Sequence, residues 1–352
     1  MTTGALYFEP QLRVLPKLLA WFDRNRRDLP WRRTRDPYSI WVSEIMLQQT
    51  RVAVVIERYT AFIERFPTVG SLALAAEADV LALWSGLGYY RRARMLHQAA
   101  KVVVAELDGH LPANAGDLRQ LPGIGAYTAA AIASIAHGEA VAVVDGNVER
   151  VVQRLAGMGS EASDGRAGLD RQIRLFAEAM LDPKRPGDHN QAMMELGATV
   201  CLPRNPLCLQ CPLVANCKTR GEHPTPTRAR MLSQDAAYAL VLRGDAGDTE
   251  VLLEQRGPAE TVMPNMWELP ALRAADTRES AHRMTLRHAI MQVNYAVRVF
   301  SVAEAEVTAS ADSSARQRWV PVGELTSLPL TGLVRKVLER AKLASFGRRV
   351  PQ

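Results

Sequence analysis

Apolar residues recur at steps of three and four positions through most of residues 5–217. This spacing places apolar side chains along one face of a helix, so each segment that shows it is predicted to be helical. The segments are Leu12–Phe22, Ile40–Phe66, Val80–Trp84, Met95–Leu107, Ala126–Ala136, Val148–Leu155, Ile173–Leu181 and Ala192–Val200. Proline and glycine separate most of them, as residues that interrupt helices do. We therefore predict a mainly α-helical domain over residues 1–217.

The pattern changes after residue 217. Residues 218–233 are basic, rich in Pro and Thr and poor in apolar residues, which predicts an exposed interdomain linker. Beyond this linker, residues 234–352 are predicted to form a smaller α+β domain that closes with an amphipathic helix over Thr331–Leu343. Its strands, indicated by short apolar runs and alternating patterns, are Ala237–Leu242 and Val251–Gln255, joined as a hairpin through Gly244–Asp248, and Tyr295–Val302 and Arg318–Val322.

The composition narrows the class of protein only in part. The chain has 352 residues, of which 47% are apolar and 23% charged, and this globular composition excludes wholesale disorder and a coiled-coil or collagen-like rod. The net charge of +6 permits a nucleic-acid partner without demonstrating one. No stretch reaches the roughly 18 apolar residues that a membrane span needs, and the first residues lack the pattern of a secretory signal. We expect a cytoplasmic protein with no membrane partner.

The string LPGIGAYTAAAIASIA, at Leu121–Ala136, joins two predicted helices through a Pro-Gly-Ile-Gly turn. Gly123 and Gly125 allow a sharp turn and the close approach of a partner. The helix that follows points free amides and the positive end of its dipole outward, which suits a phosphate. An ordinary corner between two helices is the alternative, and it would be preferred for Gly-x-Gly alone. The whole string favours contact with a DNA backbone.

Two carboxylates stand in positions that carry chemistry. Glu44 lies among Ile40, Trp41 and other apolar residues of a predicted helix, where burial would raise its pKa and let it hold a proton near neutral pH. An exposed residue paired with an arginine is an equally weighted alternative. Asp145 follows an apolar run and precedes a predicted helix, so an N-cap is the simpler interpretation of that residue alone. Its position after the glycine hairpin shifts the balance toward a chemical role.

All four cysteines of the chain lie in the pattern Cys201-x6-Cys208-x2-Cys211-x5-Cys217. Thiolates are soft ligands that bind zinc or iron–sulfur clusters. A four-cysteine zinc site usually contains two C-x-x-C pairs, whereas this segment contains one, so a 4Fe–4S cluster is favoured over zinc. Reduced structural thiols are the weaker alternative.

Together these strings resemble the adenine DNA glycosylases, the MutY family of the helix-hairpin-helix DNA glycosylase superfamily. The hairpin with Asp145 resembles the superfamily's motif and its following aspartate, and the cysteine spacing resembles that of its iron–sulfur branch. Further strings narrow the resemblance to this family: LPWR at Leu29–Arg32, WVSEIMLQQTRV at Trp41–Val52, LWSGLGYYRRARMLHQAA at Leu83–Ala100 and HNQAMMELGA at His189–Ala198. The resemblance implies a six-helix barrel lobe and an iron–sulfur cluster lobe, with one 4Fe–4S cluster held by the four cysteines of residues 201–217.

The resemblance also implies catalytic roles for single residues. Glu44 matches the catalytic acid of the family, and Asp145 matches the aspartate that stabilises the sugar cation. Tyr127 and Asn147 match residues that support these two carboxylates. Related glycosylases with lyase activity carry a lysine that forms a Schiff base at the place of Tyr127, so little or no β-lyase activity is expected.

A further set of residues is expected to contact DNA. Gln49 and Tyr89 match side chains that enter the double helix when adenine is flipped out. A solvated helix end is the alternative interpretation of the polar side chains at 48–50. The expected DNA contacts are Gln48, Gln49, Thr50, Arg51, Tyr89, Arg92, Gly123, Gly125, His288 and Gln292.

Residues 234–352 resemble, more weakly, the Nudix-like domain with which this family recognises 8-oxoguanine. The string MWELP at Met266–Pro270 fits, but the Nudix hydrolase box is absent, so no pyrophosphatase activity is expected. Leu286–Gln292 stands where the family has a lesion-reading loop. His288 is kept there, but Met291 replaces a serine, so weakened lesion discrimination is expected, with Gln292 as a partial substitute. The alternative is that this loop aligns a few residues away.

The expected function is therefore the removal of adenine opposite 8-oxoguanine or guanine in double-stranded DNA, by a monomeric, monofunctional DNA glycosylase of base-excision repair. A mismatch thymine or uracil glycosylase on the same scaffold is one alternative, although such enzymes usually lack the second domain and an acid at the place of Glu44. A non-catalytic iron–sulfur protein that binds DNA lesions is the other. The presence together of Glu44, Asp145 and Tyr127 argues against it.

Overall fold

The chain is divided into two compact units. The first unit is built from Met1–Ala73 and Gln98–Thr227, and the second from Leu74–His97 and Arg228–Gln352. The computed structural model describes residues 15–159, 165–222, 231–245, 248–273, 277–308 and 316–346 of these units.

This division differs from the predicted one, which ends the helical domain at 217 and starts the second domain at 234. Residues 74–97 belong to the second unit because side chains among them are hydrogen-bonded to its C-terminal part. A sequence pattern does not reveal such long-range bonds. Residues 223–230 of the predicted linker lie outside the described residues.

The predicted, mainly helical fold of the first part of the chain is confirmed. The apolar spacing over Ile40–Phe66 is divided between two helices, which separate at residues 48–51. The polar residues 48–50 therefore do lie at a helix end, and Gln49 there has a left-handed φ of 55°. The helices between residues 15 and 199 are α1 (Leu15–Asn25), α2 (Pro37–Leu47), α3 (Val52–Arg65), α4 (Val69–Leu74), α5 (Glu77–Leu83), α6 (Arg91–Glu106), α7 (Ala115–Leu118), α8 (Ala126–His137), α9 (Gly146–Ala156), α10 (Gly165–Met180) and α11 (Pro186–Thr199).

The core of the first unit is built around two helices that are apolar on most sides, α2 and α8. They pack against each other, and the small residues Ala129–Ala131 of α8 keep the two backbones close. Gly138 ends α8 in a left-handed conformation with φ 75°, which glycine adopts at little cost. A second part of the core joins α9, α10 and α11 to α1, with Phe22, Val152 and Ile173 buried there. No helix among the described residues is both long enough and apolar enough to cross a membrane.

The C-terminal part of the second unit is α+β, as predicted. One sheet has the strand order β5-β1-β7-β6, in which β1 and β7 are parallel and the other neighbours are antiparallel. The other sheet has β3 at its centre, paired with β2, β4 and β8. The elements are β1 (Leu232–Leu240), β2 (Leu242–Arg243), β3 (Glu250–Gln255), β4 (Trp267–Glu268), β5 (Ala271–Leu272), β6 (His282–Ile290), β7 (Val293–Ser301), α12 (Glu304–Thr308), β8 (Arg316–Pro321) and α13 (Gly332–Arg340).

Most predicted strands of this part are confirmed, and three were missed: β4, β5 and β6. The predicted hairpin forms only in part: Leu242 pairs with Val251, but Ala237–Leu240 belongs to β1, which pairs with β5 and β7 in the other sheet. Residues 246–247 of the turn lie outside the described residues. The longest missed strand is β6, which covers the segment predicted to begin a loop at Leu286. It pairs with β7 up to Ile290 and Val293, so the loop is a turn of only Met291 and Gln292. Closing helix α13 packs its apolar face into the core between the sheets, as its spacing predicted.

Candidate active site

Glu44 is a buried carboxylate inside the first unit. It lies on α2, and its neighbours Trp41, Ile45 and Met46 on that helix are buried as well. Asp36 begins the helix by accepting a 2.8 Å hydrogen bond from the backbone amide of Ser39. The sequence of α2 is apolar on most sides, so the helix is buried in the core and the carboxylate of Glu44 is buried with it. The predicted buried position of Glu44 is therefore confirmed.

Tyr127 is the direct partner of Glu44. It lies in the first turn of α8, directly after the glycine hairpin, and its hydroxyl donates a 2.5 Å hydrogen bond to Glu44 Oε2. The same hydroxyl lies 3.5 Å from Met194 Sδ on α11. Burial, followed by the charge of Glu44, raises the pKa of Tyr127 well above its usual range. Tyr127 therefore remains protonated and acts as the donor.

The surroundings hold Glu44 near its point of half protonation at neutral pH. Burial raises the pKa of Glu44 to about 7, and the negative charge of Asp145 adds to the rise. The hydrogen bond from Tyr127 and the positive charge of Arg32 oppose it. A carboxyl group with a pKa near the working pH can both hold and release a proton, which is the property required of a general acid.

Asp145 is fixed at the start of α9 by three hydrogen bonds. Its Oδ1 accepts from the backbone amides of Asn147, at 2.9 Å, and Val148, at 2.7 Å. Its Oδ2 accepts from the Asn147 side chain at 2.9 Å. The N-cap interpretation of Asp145 is thus confirmed, and it is compatible with a chemical role. The cap fixes the carboxylate at a position where its charge raises the pKa of Glu44.

Asn147 is held in turn by residues that the sequence pattern did not single out. Arg150 donates a 3.0 Å hydrogen bond to Asn147 Oδ1 and a 2.7 Å bond to the carbonyl of Gly197 on α11. Arg150 Nε also donates to the carbonyl of Cys201 at 2.8 Å. A Cβ at Gly197 would lie only 2.6 Å from Asn147 Cβ, so glycine is needed for α11 to pass the start of α9 this closely. Gly197 belongs to the string HNQAMMELGA, which was the only signal for it.

A second group that the sequence pattern missed is a buried ion-pair cluster on α11. Glu195 accepts 2.7 Å hydrogen bonds on both carboxylate oxygens from Arg27 and a 2.9 Å bond from Arg32. Burial alone would raise the pKa of Glu195, but the bonds from the two arginines outweigh it and hold the pKa at about 2. This cluster fixes Arg32, whose charge acts on Glu44. Arg32 belongs to the string LPWR and Glu195 to the string HNQAMMELGA, but neither string indicated that the two residues are bonded.

The glycine hairpin leads into Tyr127 and presents an open helix start. Gly123 has a φ of 76°, a left-handed value that glycine adopts at little cost and other residues do not. Gly125 is the N-cap of α8, has an ordinary φ of −85° and is exposed. A Cβ built on Gly125 meets no atom within 4 Å among the described residues. The fold itself therefore does not require glycine at 125, whereas the approach of a partner to the α8 amides would.

The polar residues between α2 and α3 form a strained, accessible turn. Gln49 is exposed and left-handed, while Gln48 donates a 3.2 Å hydrogen bond to Thr128, next to Tyr127. The Thr50 hydroxyl donates to the carbonyl of Gln48 at 3.2 Å, and Arg51 is exposed as the N-cap residue of α3. A left-handed non-glycine residue costs about 1 kcal/mol or more and is often found at functional sites.

Tyr89 and Arg92 lie in the second unit. Tyr89 is left-handed, with φ 47°, and 54% of it is exposed. The Arg92 guanidinium lies 5.5 Å from the centre of the Trp84 ring and 5.6 Å from that of the Tyr89 ring, and it donates to the carbonyls of Leu87 and Gly88. Burial lowers the pKa of Arg92 to about 10. These contacts hold Arg92 beside Tyr89, and a contact of Arg92 with DNA remains a prediction.

His288 faces the last helix of the second unit. Its Nδ1 lies 3.1 Å from Lys336 Nζ on α13, and burial together with this charge lowers its pKa to about 4. Gln292 is part of the β6–β7 turn, and its carbonyl accepts a 2.9 Å hydrogen bond from the backbone amide of Leu232. Met291 at the tip of the turn is left-handed and 72% exposed. A role of His288 and Gln292 in DNA contact remains a prediction.

The four cysteines follow α11 and surround two short turns of 3-10 helix, Cys208–Gln210 and Val214–Asn216. All four are half-buried free thiols, and three of them pack against the core formed by α9, α10 and α11. Burial raises the pKa of Cys211 to about 11, and the other three thiols add to the rise, so the four groups influence one another. This donor set fits a group that prefers sulfur ligands.

Arg154 connects α9 to the cysteine segment. It is buried and donates to Cys201 Sγ at 3.4 Å and to the carbonyls of Leu202, at 2.6 Å, and Pro203, at 2.9 Å. The Cys217 thiol lies 3.4 Å from the Arg154 carbonyl. A guanidinium at this place would offset the negative charge of thiolate ligands. Across the described ranges, no three His, Cys, Asp or Glu side chains are arranged to hold a single metal ion.

Residues 42–171 match the family model described as HhH-GPD superfamily base excision DNA repair protein. The chain is 51% identical to the adenine DNA glycosylase of Homo sapiens over 212 residues, which are 58% of this chain and 38% of that protein. It is 44% identical to the adenine DNA glycosylase of Mycolicibacterium smegmatis over 230 residues, which are 65% of this chain and 77% of that protein. The match therefore spans well under half of the human relative and most of the bacterial one.

Two solved structures are similar to the helical part of the chain. A thermostable thymine-DNA glycosylase superimposes with a TM-score of 0.54 at 29% identity, over 60% of this chain and 97% of that one. A trapped covalent intermediate of endonuclease III with DNA superimposes with a TM-score of 0.51 at 22% identity, over 60% of this chain and 96% of that one. The second similarity concerns the fold alone.

Proposed function

This chain belongs to the adenine DNA glycosylases, and we propose that it is a monofunctional enzyme that removes adenine opposite 8-oxoguanine or guanine from double-stranded DNA. The observation that carries this proposal is the pair of carboxylates: Glu44 with a pKa of about 7, bonded to Tyr127, and Asp145 fixed close by. Two carboxyl groups with different environments can divide the work of breaking a glycosidic bond.

Glu44 supplies the proton. Adenine is a poor leaving group as an anion, so the base has to be protonated, at the nitrogen of its imidazole ring, as the bond to the sugar breaks. Burial raises the pKa of Glu44 to about 7, so protonated Glu44 is available near neutral pH, and no solvent shell has to be removed from it because it is already buried. The Tyr127 hydroxyl then stabilises the carboxylate that remains, since it donates to the oxygen that becomes charged.

Asp145 offsets the charge that the departing base leaves behind. Loss of adenine gives the sugar oxocarbenium character, and a carboxylate held in place stabilises that cation without reorganising. The three hydrogen bonds at the start of α9 hold Asp145, and Arg150 holds Asn147 in turn. Tyr127 offers no amine to form a Schiff base, so we expect little or no β-lyase activity.

The protein binds the phosphate backbone of DNA with its own backbone amides, and exposed side chains enter the duplex. The open helix start at Gly125 presents backbone amides to a phosphate. Gln49 and Tyr89 are exposed, left-handed residues of the kind that could enter the base stack when the adenine leaves it. Flipping costs a few kcal/mol and is least costly at a mispair, which adds to the selection of the target.

We further propose that Cys201, Cys208, Cys211 and Cys217 hold one 4Fe–4S cluster. The four soft donors, the buried Arg154 beside Cys201 and the apolar packing of three thiols support it. Such a cluster would cross-link the segment and keep it folded against α9. We also propose that the protein acts as a monomer in the cytoplasm, without a membrane partner.

The test is single-turnover base release from duplexes that carry A opposite 8-oxoguanine, A opposite G, and T or U opposite G. Release of adenine is expected, and Glu44→Gln or Asp145→Asn should slow it by about 10²–10⁴-fold while duplex binding is retained. Release of only T or U would show that the chain is a mismatch pyrimidine glycosylase. Unchanged release in both variants would contradict the assigned roles, and binding without any release would indicate a lesion-binding protein.

A further inference from the structure

The last helix of the chain reaches back to a loop that lies far earlier in the sequence. Arg335 on α13 is buried and donates a 2.9 Å hydrogen bond from Nη1 to Ser85 Oγ, 250 residues away. Its Nη2 donates to the carbonyl of Phe346 at 3.0 Å, and the guanidinium lies 4.7 Å from the centre of the Phe346 ring. All of these residues belong to the second unit.

Two further contacts fix the same loop. The Tyr90 hydroxyl donates to the carbonyl of Leu330 at 3.1 Å, just before α13. Gly86 has a φ of 100°, and a Cβ there would lie 2.8 Å from Arg335 Nη1, so the backbone passes directly against the guanidinium. A buried guanidinium is costly unless its donors are used, and here one donor holds the loop at Ser85 and another bonds the carbonyl of Phe346.

The loop held in this way is the one that presents Tyr89. Tyr89 follows Gly86 by three positions, is left-handed and is more than half exposed. Arg92 supports its ring from inside the unit, and Arg335 fixes the start of the loop. An aromatic side chain that is held in a strained conformation and exposed is suited to stack on a base.

We propose that Arg335 is a positioning residue for DNA engagement, and that it acts by holding the Ser85–Tyr89 loop in the conformation that presents Tyr89. The C-terminal part of the chain then contributes to DNA binding through this loop, in addition to any contact of its own. The proposal rests on the proposed function, because it takes DNA to be the partner that Tyr89 meets.

The experiment is a double-mutant cycle on the full chain with Arg335→Met, Tyr89→Ala and the double variant. The readout is the Kd for a duplex with 2′-fluoro-2′-deoxyadenosine opposite 8-oxoguanine, an analogue whose glycosidic bond resists cleavage. Arg335→Met should raise Kd by about tenfold in the parent and by less than about twofold in Tyr89→Ala, since coupled residues are not additive. An unchanged Kd, or the same full loss in both backgrounds, would overturn the proposal.

Three controls separate positioning from folding. Arg340→Met changes an exposed arginine of the same helix, which donates to the Thr285 carbonyl, and should leave Kd unchanged. Ser85→Ala removes the acceptor without touching α13 and should reproduce part of the Arg335→Met effect, while Arg335→Lys should restore part of the affinity. Thermal unfolding identifies any variant that fails to fold. If the parent binds DNA and shows the coupling but releases no adenine, the proposed function fails and this inference stands.

Discussion

The Tyr127 hydroxyl and the Glu44 carboxylate share a 2.5 Å hydrogen bond in the buried interior of the first unit. This bond favours the ionised form of Glu44, whereas burial favours the protonated form. The two effects oppose each other, and their balance leaves the pKa of Glu44 at about 7. Tyr127 thus keeps Glu44 from becoming too weak an acid to release its proton to a base.

Removing that hydroxyl should move the pH dependence of adenine release. In Tyr127→Phe the ionised form loses its donor, so the pKa of Glu44 rises further. Because the reaction needs protonated Glu44, release falls as pH rises through this pKa, and the midpoint of the fall should move upward by roughly one pH unit. Single-turnover rates between pH 5.5 and about 9 measure the midpoint.

Tyr38→Phe is the matched control for this shift. Tyr38 is another buried tyrosine on the same unit, and its hydroxyl donates to the Phe66 carbonyl at 2.9 Å without touching Glu44. Its midpoint should coincide with that of the parent. A midpoint in Tyr127→Phe that stays in place or moves downward would mean that Glu44 does not supply the proton.

Gly197→Ala should impair chemistry more than folding. The new methyl group would lie 2.6 Å from Asn147 Cβ, and Asn147 cannot retreat without releasing Asp145. We expect adenine release to fall by at least about tenfold, and stability to fall by about 1–3 kcal/mol from overpacking. Gly70→Ala is the control, because its Cβ would meet only Thr68 Oγ1, at 3.7 Å. Equal release rates in the two variants would exclude a positioning role for this contact.

Alanine substitutions at the two glycines that flank α8 should affect different properties: DNA affinity at Gly125 and stability at Gly138. Gly125→Ala adds a methyl group in open space at the helix start, so the stability of the protein should hardly change. The methyl group should hinder a phosphate that binds the α8 amides, and the Kd for duplex DNA should rise by roughly tenfold. That rise corresponds to the loss of one contact of about 1.4 kcal/mol. Gly138→Ala forces alanine into a left-handed conformation and should cost about 1 kcal/mol without affecting DNA. Thermal unfolding and fluorescence anisotropy distinguish the two. Retained affinity in Gly125→Ala would place the phosphate contact elsewhere.

The cysteine segment should bind iron and sulfide. Purified protein is expected to show sulfide-to-iron absorbance in the visible range, with about four irons per chain. Cys208→Ser should lose iron, and the change should destabilise α9 because Arg154 and the cysteine segment are bonded to each other. Stoichiometric zinc without iron would defeat the 4Fe–4S assignment.

Glu44 and Asp145 were singled out from their local strings, and Tyr127 was named through the resemblance to the glycosylase family. A helix end was expected at residues 48–50, but the left-handed conformation of Gln49 was not, since neither proline nor glycine marks it. Arg150 and Glu195 were missed because residues that they bond, Gly197 for Arg150 and Arg27 for Glu195, lie 47 and 168 positions away in the sequence, so no local spacing shows the bonds.

Two features of the second unit were not predicted, for different reasons: strand β6 and the membership of residues 74–97. Burial alternates along strand β6, with Leu286 and His288 less exposed than Arg287 between them. The sequence therefore carries the period of two that is typical of a strand, but the segment was assigned to a loop because of the family resemblance. Membership of residues 74–97 in this unit is different. It depends on bonds such as that of Arg335 to Ser85. These two residues are 250 positions apart, and the sequence pattern around neither of them indicates the other.

His189 should make the first unit sensitive to mild acid. It is buried on α11, its Nδ1 has no hydrogen-bond partner among the described residues, and burial lowers its pKa from 6.5 to about 4. The folded state therefore favours the neutral ring, and the resulting stability is present above pH 6.5 and is lost as pH falls from 6.5 toward 4. By linkage the loss from His189 at pH 5 is about 2 kcal/mol.

The measurement for this prediction is the free energy of unfolding in urea at pH 7 and pH 5, for the parent and for His189→Gln. The variant should be less stable at pH 7, because glutamine replaces a packed ring, but its stability should change less between the two pH values. His110→Gln is the control, since His110 is exposed and should leave the pH dependence of the parent in place. Glu195, with a pKa of about 2, adds its own loss only as pH falls below about 4.5. Glu44, with a pKa raised to about 7, gains stability over the same pH range, so only the difference between the parent and His189→Gln reports on His189. The same change in stability between pH 7 and pH 5 in both proteins would show that His189 is not held neutral by burial.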